Sequence, residues 1–140
     1  MKDAYTSAFY DAVKETRAQT GYELPEHLEA YVVMLLASFV EKSDYLPEKS
    51  FAETYMLLVQ KRSPNIKALG DTCLFVTGVF PAYKNKYGLD VDYFSSIGSN
   101  SYLQMQSSLF NELGTKFSYV RDFISLTVKT TNGTDLTDWL

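Results

Sequence analysis

The chain has 140 residues, the length of one typical domain and enough to bury a sizeable core, so we expect a single domain over residues 1–140. Its 46% hydrophobic and 21% charged residues exclude wholesale disorder. The net charge of -4 argues against a nucleic-acid partner, because proteins that bind nucleic acid normally present a basic face.

Cysteine content and hydropathy indicate where the protein acts. The single cysteine, Cys73, excludes an intramolecular disulfide, and its apolar surroundings in the sequence predict a small buried side chain. The first residues lack the continuous apolar segment of a signal peptide. No apolar run reaches the roughly 18 residues that a membrane span needs. We therefore expect a soluble, cytoplasmic protein without a membrane partner.

Apolar residues recur at helical spacing along the first half of the chain. The spacing predicts helices over residues 3–19, 24–40 and 51–62, and Gly21 is a plausible end for the first of them. The predicted inward positions of the three helices are Tyr5, Phe9, Ala12, Val13, Thr16, Leu28, Tyr31, Val32, Leu35, Phe39, Phe51, Tyr55, Leu58 and Val59, and Met34, Ala37 and Val40 broaden the inner stripe of the second helix.

A fourth predicted helix, over about 64–80, is apolar almost all round. Ser63 is its predicted N-cap, with Pro64 at the first helical position. A helix of this kind is normally surrounded by other helices, so we place it at the centre of the fold. Gly70 and Gly78 within it each cost about 1 kcal/mol relative to alanine. We expect the close approach of a neighbouring backbone to compensate for that cost.

The next helix is predicted to begin after Asp90 as N-cap and to run from Val91 to about Gln106. Asp92 in its first turn is also explained by capping and by the helix dipole. Gly98 and Ser101 are the small residues of its apolar stripe. The hypothesis is a tight antiparallel crossing with the central helix, in which Gly70 and Gly78 meet Gly98 and Ser101.

The last long helix is predicted to begin at Ser107 or Ser108 and to end at the Asn132-Gly133 pair. Gly114 interrupts it, which allows either a kink or a fresh start with Thr115 as N-cap. Residues 132–140 form a possible flexible or docking tail. No segment alternates with period two for long enough to predict a paired strand. The fold class is therefore all-α, a bundle of about six helices around the central one.

Two motifs carry a resemblance. The pattern G-D-x-x-L-F-x-x-G-x-F-P occupies residues 70–81, and D-Y-F-x-x-x-G-x-x-x-Y occupies residues 92–102. Together they resemble a family of small bacterial all-helical proteins of unknown activity. The resemblance implies a bacterial, cytoplasmic helical domain. It implies no cofactor and no catalytic residue.

The sequence offers little chemistry. Metal sites need several His, Cys, Asp or Glu side chains at ligand spacing, and the chain has one histidine and one cysteine. His27 lies in the first turn of its helix, where we expect it to be solvated and without a partner. No phosphate-binding loop or nucleophile elbow occurs. We therefore name no catalytic residue, metal or cofactor, and lean away from an enzyme.

Asp71 is the charged residue of greatest interest, because it lies in the most apolar helix. A buried carboxylate must be paired or hydrogen-bonded, or its pKa rises. One interpretation is structural, with a pair to Lys67 one turn earlier or a bond from Tyr93 or Tyr102. The other is a functional carboxylate that faces a pocket lined by Phe75, Tyr93 and Tyr102.

Two functions follow from these observations. The first is a non-enzymatic helical module that binds a protein partner or a second copy of itself. It would use an exposed aromatic patch on the tail or on the outer faces of the first and last helices, since 15% of the residues are aromatic. The alternative is a small-molecule-binding domain, or an enzyme, with a pocket near Asp71, Tyr93 and Tyr102.

Overall fold

The computed structural model describes residues 2–40, 51–85 and 88–129. These residues form helices and no strand, which confirms the all-α prediction. The helices are α1 (Lys2–Thr20), α2 (Glu26–Val40), α3 (Phe51–Gln60), α4 (Ile66–Val79), α5 (Val91–Leu103), α6 (Ser108–Thr115) and α7 (Phe117–Lys129). The predicted turn at Asn132-Gly133 and the tail 132–140 lie outside the described residues.

The described part of the chain has one helix more than expected, because the predicted last helix divides in two. The structure shows a break followed by a new helix and not a kink. The break is at Lys116, where φ is -100°. Gly114 remains within α6, and a Cβ on it would lie 2.9 Å from the carbonyl oxygen of Ser99 on α5. Gly114 therefore serves the close approach of α6 to α5, and the break comes two residues later.

Local capping sets the other helix boundaries. Asp90 caps α5 as predicted, since its carboxylate accepts a hydrogen bond from the backbone N–H of Asp92 at 3.2 Å. The α4 boundary was predicted too early. Ser63 accepts a hydrogen bond from the N–H of Asn65 at 3.2 Å, and its carbonyl accepts one from Ile66. These bonds form a turn before the helix, which begins at Ile66.

Helix α4 lies at the centre of the bundle. Of its 14 residues 10 are buried, and it contacts α2, α3, α5 and α7. Its most extensive contact is with α5. Gly70 of α4 faces Tyr102 of α5, and Cys73, further along α4, faces Gly98, which lies earlier in α5. The two helices are therefore antiparallel.

Glycines let large side chains enter these crossings. A Cβ on Gly70 would lie 2.8 Å from the Tyr102 ring, and one on Gly98 would lie 2.6 Å from the Phe117 ring and 2.7 Å from the Cys73 Cβ. Gly78 faces Ile124 of α7 instead of α5. The contact thus places glycine against ring or branched side chain more than small residue against small residue.

Ser101, the fourth residue of the hypothesised crossing, is buried in α5. Its hydroxyl donates to the carbonyl of Ile97, one turn earlier in the same helix, at 2.7 Å. The hydroxyl of Ser101 is therefore hydrogen-bonded within its own helix. Its part in the crossing is limited to its small size.

Candidate functional site

The carboxylate of Asp71 is the centre of a polar cluster between three helices. The Tyr31 hydroxyl donates to Asp71 Oδ1 at 2.5 Å, and the Tyr102 hydroxyl donates to the same oxygen at 2.8 Å. Lys67 Nζ donates to Oδ2 at 2.9 Å. The Asp71 side chain is 14% exposed. Both carboxylate oxygens therefore have partners from the chain itself, as a largely buried charge requires.

The sequence explains part of this arrangement. Lys67 and Asp71 stand four residues apart on α4, the spacing at which side chains meet on a helix surface. Tyr102 reaches Asp71 because Gly70 leaves room for its ring. Tyr31 comes from α2, far away in sequence. The pairings of Asp71 with Lys67 and Tyr102 were predicted, whereas the Tyr31 bond was missed.

Aromatic rings close one side of the cluster. Phe110 of α6 stacks on Tyr102 with ring centroids 5.7 Å apart and meets the edge of Tyr31 at the same centroid distance. Lys67 Nζ lies 5.7 Å from the centre of the Tyr31 ring, within the range of a cation–π contact. These rings shield the tyrosine–carboxylate bonds from water on that side.

The tyrosine hydroxyls are held in their protonated form. Burial raises the pKa of Tyr102 well above its usual value, and the charge of Asp71 raises it further. Burial also raises the pKa of Tyr31, followed by the Asp71 charge and the Asp71 hydrogen bond, while its contact with Tyr102 opposes the rise. Both tyrosines therefore remain hydrogen-bond donors at neutral pH, and neither is poised to act as a base.

The structure does not assemble the other residues of the expected pocket. Phe75 is fully buried and stacks on Phe39 with ring centroids 4.2 Å apart. Tyr93 contacts Phe94 near the start of α5. Nine residues of helix separate Tyr93 from Tyr102, which is about 13 Å along the axis. Phe75 and Tyr93 thus serve ring packing, and the expected lining of a pocket at Asp71 is not brought together.

A second charged cluster lies at the surface and corrects the expectation for His27. His27 Nε2 lies 2.6 Å from Glu112 Oε1, and Lys116 Nζ donates to Glu112 Oε2 at 3.0 Å. The hydrogen bond with His27, and then the one from Lys116, lowers the pKa of Glu112. The histidine thus joins α2 to α6. Across 2–40, 51–85 and 88–129 we find no group of three or more His, Cys, Asp or Glu side chains placed to hold a metal.

Three of the surface concavities formed by the described residues are candidate places for recognition. The largest, which we call the turn cleft, encloses about 800 Å³ between the α3–α4 and α5–α6 turns. A cleft of about 300 Å³ lies between α5 and the α6–α7 break and is lined mainly by serines. A shallow groove of about 450 Å³ runs along the outer side of α3. None of the three is lined by Asp71.

The fold and the Asp71 cluster together define an all-helical bundle whose central carboxylate ties α2, α4 and α5 together. No protein-family model matches the chain, and no curated protein or solved structure shows significant similarity to it. None of the helices in the described part has the length and apolar character needed to cross a membrane.

Proposed function

We propose that the protein is a non-enzymatic interaction module that pairs with a second copy of itself through the outer face of α3. The observation that carries the proposal is the exposure of Met56 and Leu57, which are 56% and 37% exposed. They line the α3 groove together with Ala52, Glu53 and Gln60. Among the described residues, the other exposed large apolar side chains lie singly on other helices, whereas these two share one groove, as is typical of a contact site.

Helix α3 is apolar on both sides. Phe51 is its one buried residue, and Tyr55 and Leu58 pack half-buried against the core. This inner side already supplies the contacts with α4 and α5. Met56 and Leu57 are not among the residues that pack against the core, and they stay 56% and 37% exposed. Fully burying side chains of this size is worth about 1.5–3 kcal/mol each, which an intermolecular contact can supply.

The ends of α3 make this face self-complementary. Glu53 lies in the first turn, whereas Lys61 follows the last residue. In an antiparallel pairing about a twofold axis at Met56 and Leu57, the acidic end of one copy meets the basic end of the other. Such an isologous contact repeats each favourable pair twice. The charges therefore favour a second copy over an unrelated helix.

The contact is small. A helix of 10 residues is about 15 Å long, less than is needed for the roughly 800 Å² per partner of a typical stable interface. We therefore expect a weak dimer whose population depends on concentration. We further propose that it forms in the bacterial cytoplasm, which the resemblance of the 70–81 and 92–102 motifs supports. The alternative function, a pocket at Asp71, Tyr93 and Tyr102, has no comparable support.

Sedimentation equilibrium over a wide concentration range tests the proposal. The average mass should rise from the 15.9 kDa monomer towards twice that value as concentration increases. Met56→Glu should remain monomeric throughout, because it places a charge in the middle of the contact. Met34→Glu is the matched control, since Met34 is 67% exposed on α2 and lies outside the groove, and it should associate like the wild type.

Charge reversal distinguishes the proposed antiparallel geometry from non-specific hydrophobic association. Glu53→Lys and Lys61→Glu should each weaken the dimer, and the double variant should regain most of the lost affinity. A wild type that stays monomeric at every concentration would refute the proposal, as would a Met56→Glu variant that associates normally.

A further inference from the structure

The turn cleft has the size and shape of a small-molecule site. The α3–α4 turn and the α5–α6 turn lie side by side around it, and its volume of about 800 Å³ is in the range of ligand pockets. Its lining includes Arg62, Gln60, Gln104 and Gln106 as polar residues and Ile66 as an apolar one.

Two residues of the cleft have an unusual backbone. Arg62 and Gln106 have φ values of 49° and 55°, and no other non-glycine residue in the described part has a positive φ. Each follows the end of a helix, where glycine commonly takes this left-handed conformation without a steric penalty. Both strained positions instead carry long polar side chains, and both line the same cleft. Strain of this kind concentrates at sites where the side chain has a use.

The polar groups of the cleft are suited to an anion. Its lining holds the Arg62 guanidinium and the amides of Gln60, Gln104 and Gln106, and none of the described residues that line it is an aspartate or a glutamate. This is notable in a chain with 17 acidic and 13 basic residues. Within the described residues, none of these four side chains makes a hydrogen bond or an ion pair. A guanidinium offers paired N–H donors that match a carboxylate or phosphate.

The floor of the cleft is apolar. Ile66 is 4% exposed, and Leu58, Val59 and Met105 are half-buried around it. An ion without an apolar part would leave this floor in contact with water. We propose that the turn cleft binds a small organic anion, with a carboxylate or phosphate head held by Arg62 and the glutamine amides and a short apolar tail against Ile66.

Titration of the ¹⁵N-labelled full chain, followed by amide NMR shifts, tests the proposal with four probes: hexanoate, hexyl phosphate, hexanol and inorganic phosphate. Hexanoate or hexyl phosphate should give saturable shifts at Arg62, Ser63 and Gln104. Hexanol and inorganic phosphate should bind at least tenfold more weakly, because each supplies half of the recognised chemistry. The better of the two anions identifies the head group.

Two variants separate a built site from general charge attraction. Arg62→Gln should weaken binding about tenfold. Lys61→Gln removes the same charge one residue away and outside the lining, so it should change affinity less than twofold. Gln106→Gly should weaken binding several-fold while raising the melting temperature, because glycine tolerates the left-handed backbone. The spectra of the free variants show whether each remains folded.

Three results would overturn the proposal. They are the absence of saturable shifts with hexanoate and hexyl phosphate, equal weakening by Arg62→Gln and Lys61→Gln, and hexanol binding as tightly as hexanoate. Self-association through α3 is not assumed, and the titration repeated at two protein concentrations separates ligand shifts from shifts caused by dimerisation.

Discussion

Replacing Asp71 by asparagine keeps the shape of the side chain and removes the charge that three donors share. In the folded protein Tyr31 and Tyr102 donate to Oδ1 at 2.5 and 2.8 Å, and Lys67 donates to Oδ2 at 2.9 Å. Asparagine retains an oxygen that accepts from both hydroxyls. Its amide nitrogen, however, is a donor and would face the ammonium group of Lys67.

The expected loss of stability follows from these contacts. A hydrogen bond to a charged group contributes about 1.5–3 kcal/mol, against about 1 kcal/mol for a neutral one, so each tyrosine bond weakens by about 0.5–2 kcal/mol. Lys67 is 46% exposed, and the loss of its pair adds at most about 1 kcal/mol. The lower desolvation cost of a neutral side chain offsets part of the sum. We expect Asp71→Asn to lower the free energy of unfolding by about 1–3 kcal/mol.

Urea unfolding monitored by circular dichroism at 222 nm measures this difference. The matched control is Asp11→Asn, which makes the same chemical change at an exposed position of α1. The free energy of unfolding of the control should stay within about 0.5 kcal/mol of the wild-type value, as is usual for substitutions at surface sites. The two variants carry the same net charge, so their difference reports the cluster and not the charge of the whole protein.

A double-mutant cycle then apportions the loss. Tyr102→Phe removes one donor, and its cost should be smaller in the Asp71→Asn background because the bond there is already neutral. If Asp71→Asn is as stable as Asp11→Asn, or if its cost is independent of Tyr102→Phe, the carboxylate is not holding α4 and α5 together through Tyr102. The reasoning from hydrogen-bond geometry would then be wrong.

Four other predictions test the core and the surface. Gly98→Ala should destabilise by about 1–3 kcal/mol in urea unfolding through overpacking, despite alanine's better helix propensity, and unchanged or higher stability would contradict the close crossing. The pKa values of Tyr31 and Tyr102 are both raised, so stability should be full below pH 10.0, the usual value. Above it, each tyrosine should lower the stability by about 1.4 kcal/mol per pH unit, because the unfolded chain loses a proton that the folded chain keeps; Tyr102→Phe should reduce this slope. Because the pKa of Glu112 is lowered, the ionised side chain should contribute fully to stability above pH 4.5, and this contribution should be lost as the pH falls through the lowered pKa. Glu112→Gln should abolish this part of the pH dependence in acid unfolding. Burial raises the pKa of the Cys73 thiol, so it should react with a disulfide reagent only in denaturant, and rapid reaction of the native protein would contradict its burial.

Features that depend on local sequence were predictable. The all-round apolar character of α4 placed it at the centre, and the Asp90 cap fixed the start of α5. The four-residue spacing gave the Lys67–Asp71 pair. Each of these features follows from apolar periodicity, four-residue spacing or helix capping, and all three depend on residues that are close together in the sequence.

Features that depend on contacts between distant residues were not predictable. The bond from Tyr31 to Asp71 joins residues 40 positions apart, and Tyr31 carried no sign of it beyond its place on the inner stripe of α2. The partner of His27 lies 85 positions away on α6. Gly78 was assigned to the α5 crossing but faces Ile124 of α7, because a helix buried on all sides gives no indication of which neighbour each face meets.

The fold also changes the interpretation of the high aromatic content. In the sequence, helical spacing placed most of the aromatic rings inward, and their share of 15% also led to the hypothesis of an exposed aromatic patch. Among the described residues, Tyr119 is the most exposed aromatic side chain, at 41%. The rings go inward because Gly70 and Gly98 give Tyr102 and Phe117 room beside the helix backbone. Aromatic abundance is therefore explained by packing and gives no separate support for binding.

Helix α3 is where the surface departs most from what packing requires. Phe51 is its one buried residue, and Tyr55 and Leu58 complete the inner side that packs against the core. Its outer face nevertheless carries Met56 and Leu57, and the turn that follows holds Arg62 in a left-handed conformation. The monomer needs neither feature, since exposed apolar groups remove little surface from water and a strained backbone costs free energy. The two proposed contacts, a second copy on the outer face and an anion at the turn, account for both features through one weakly buried helix.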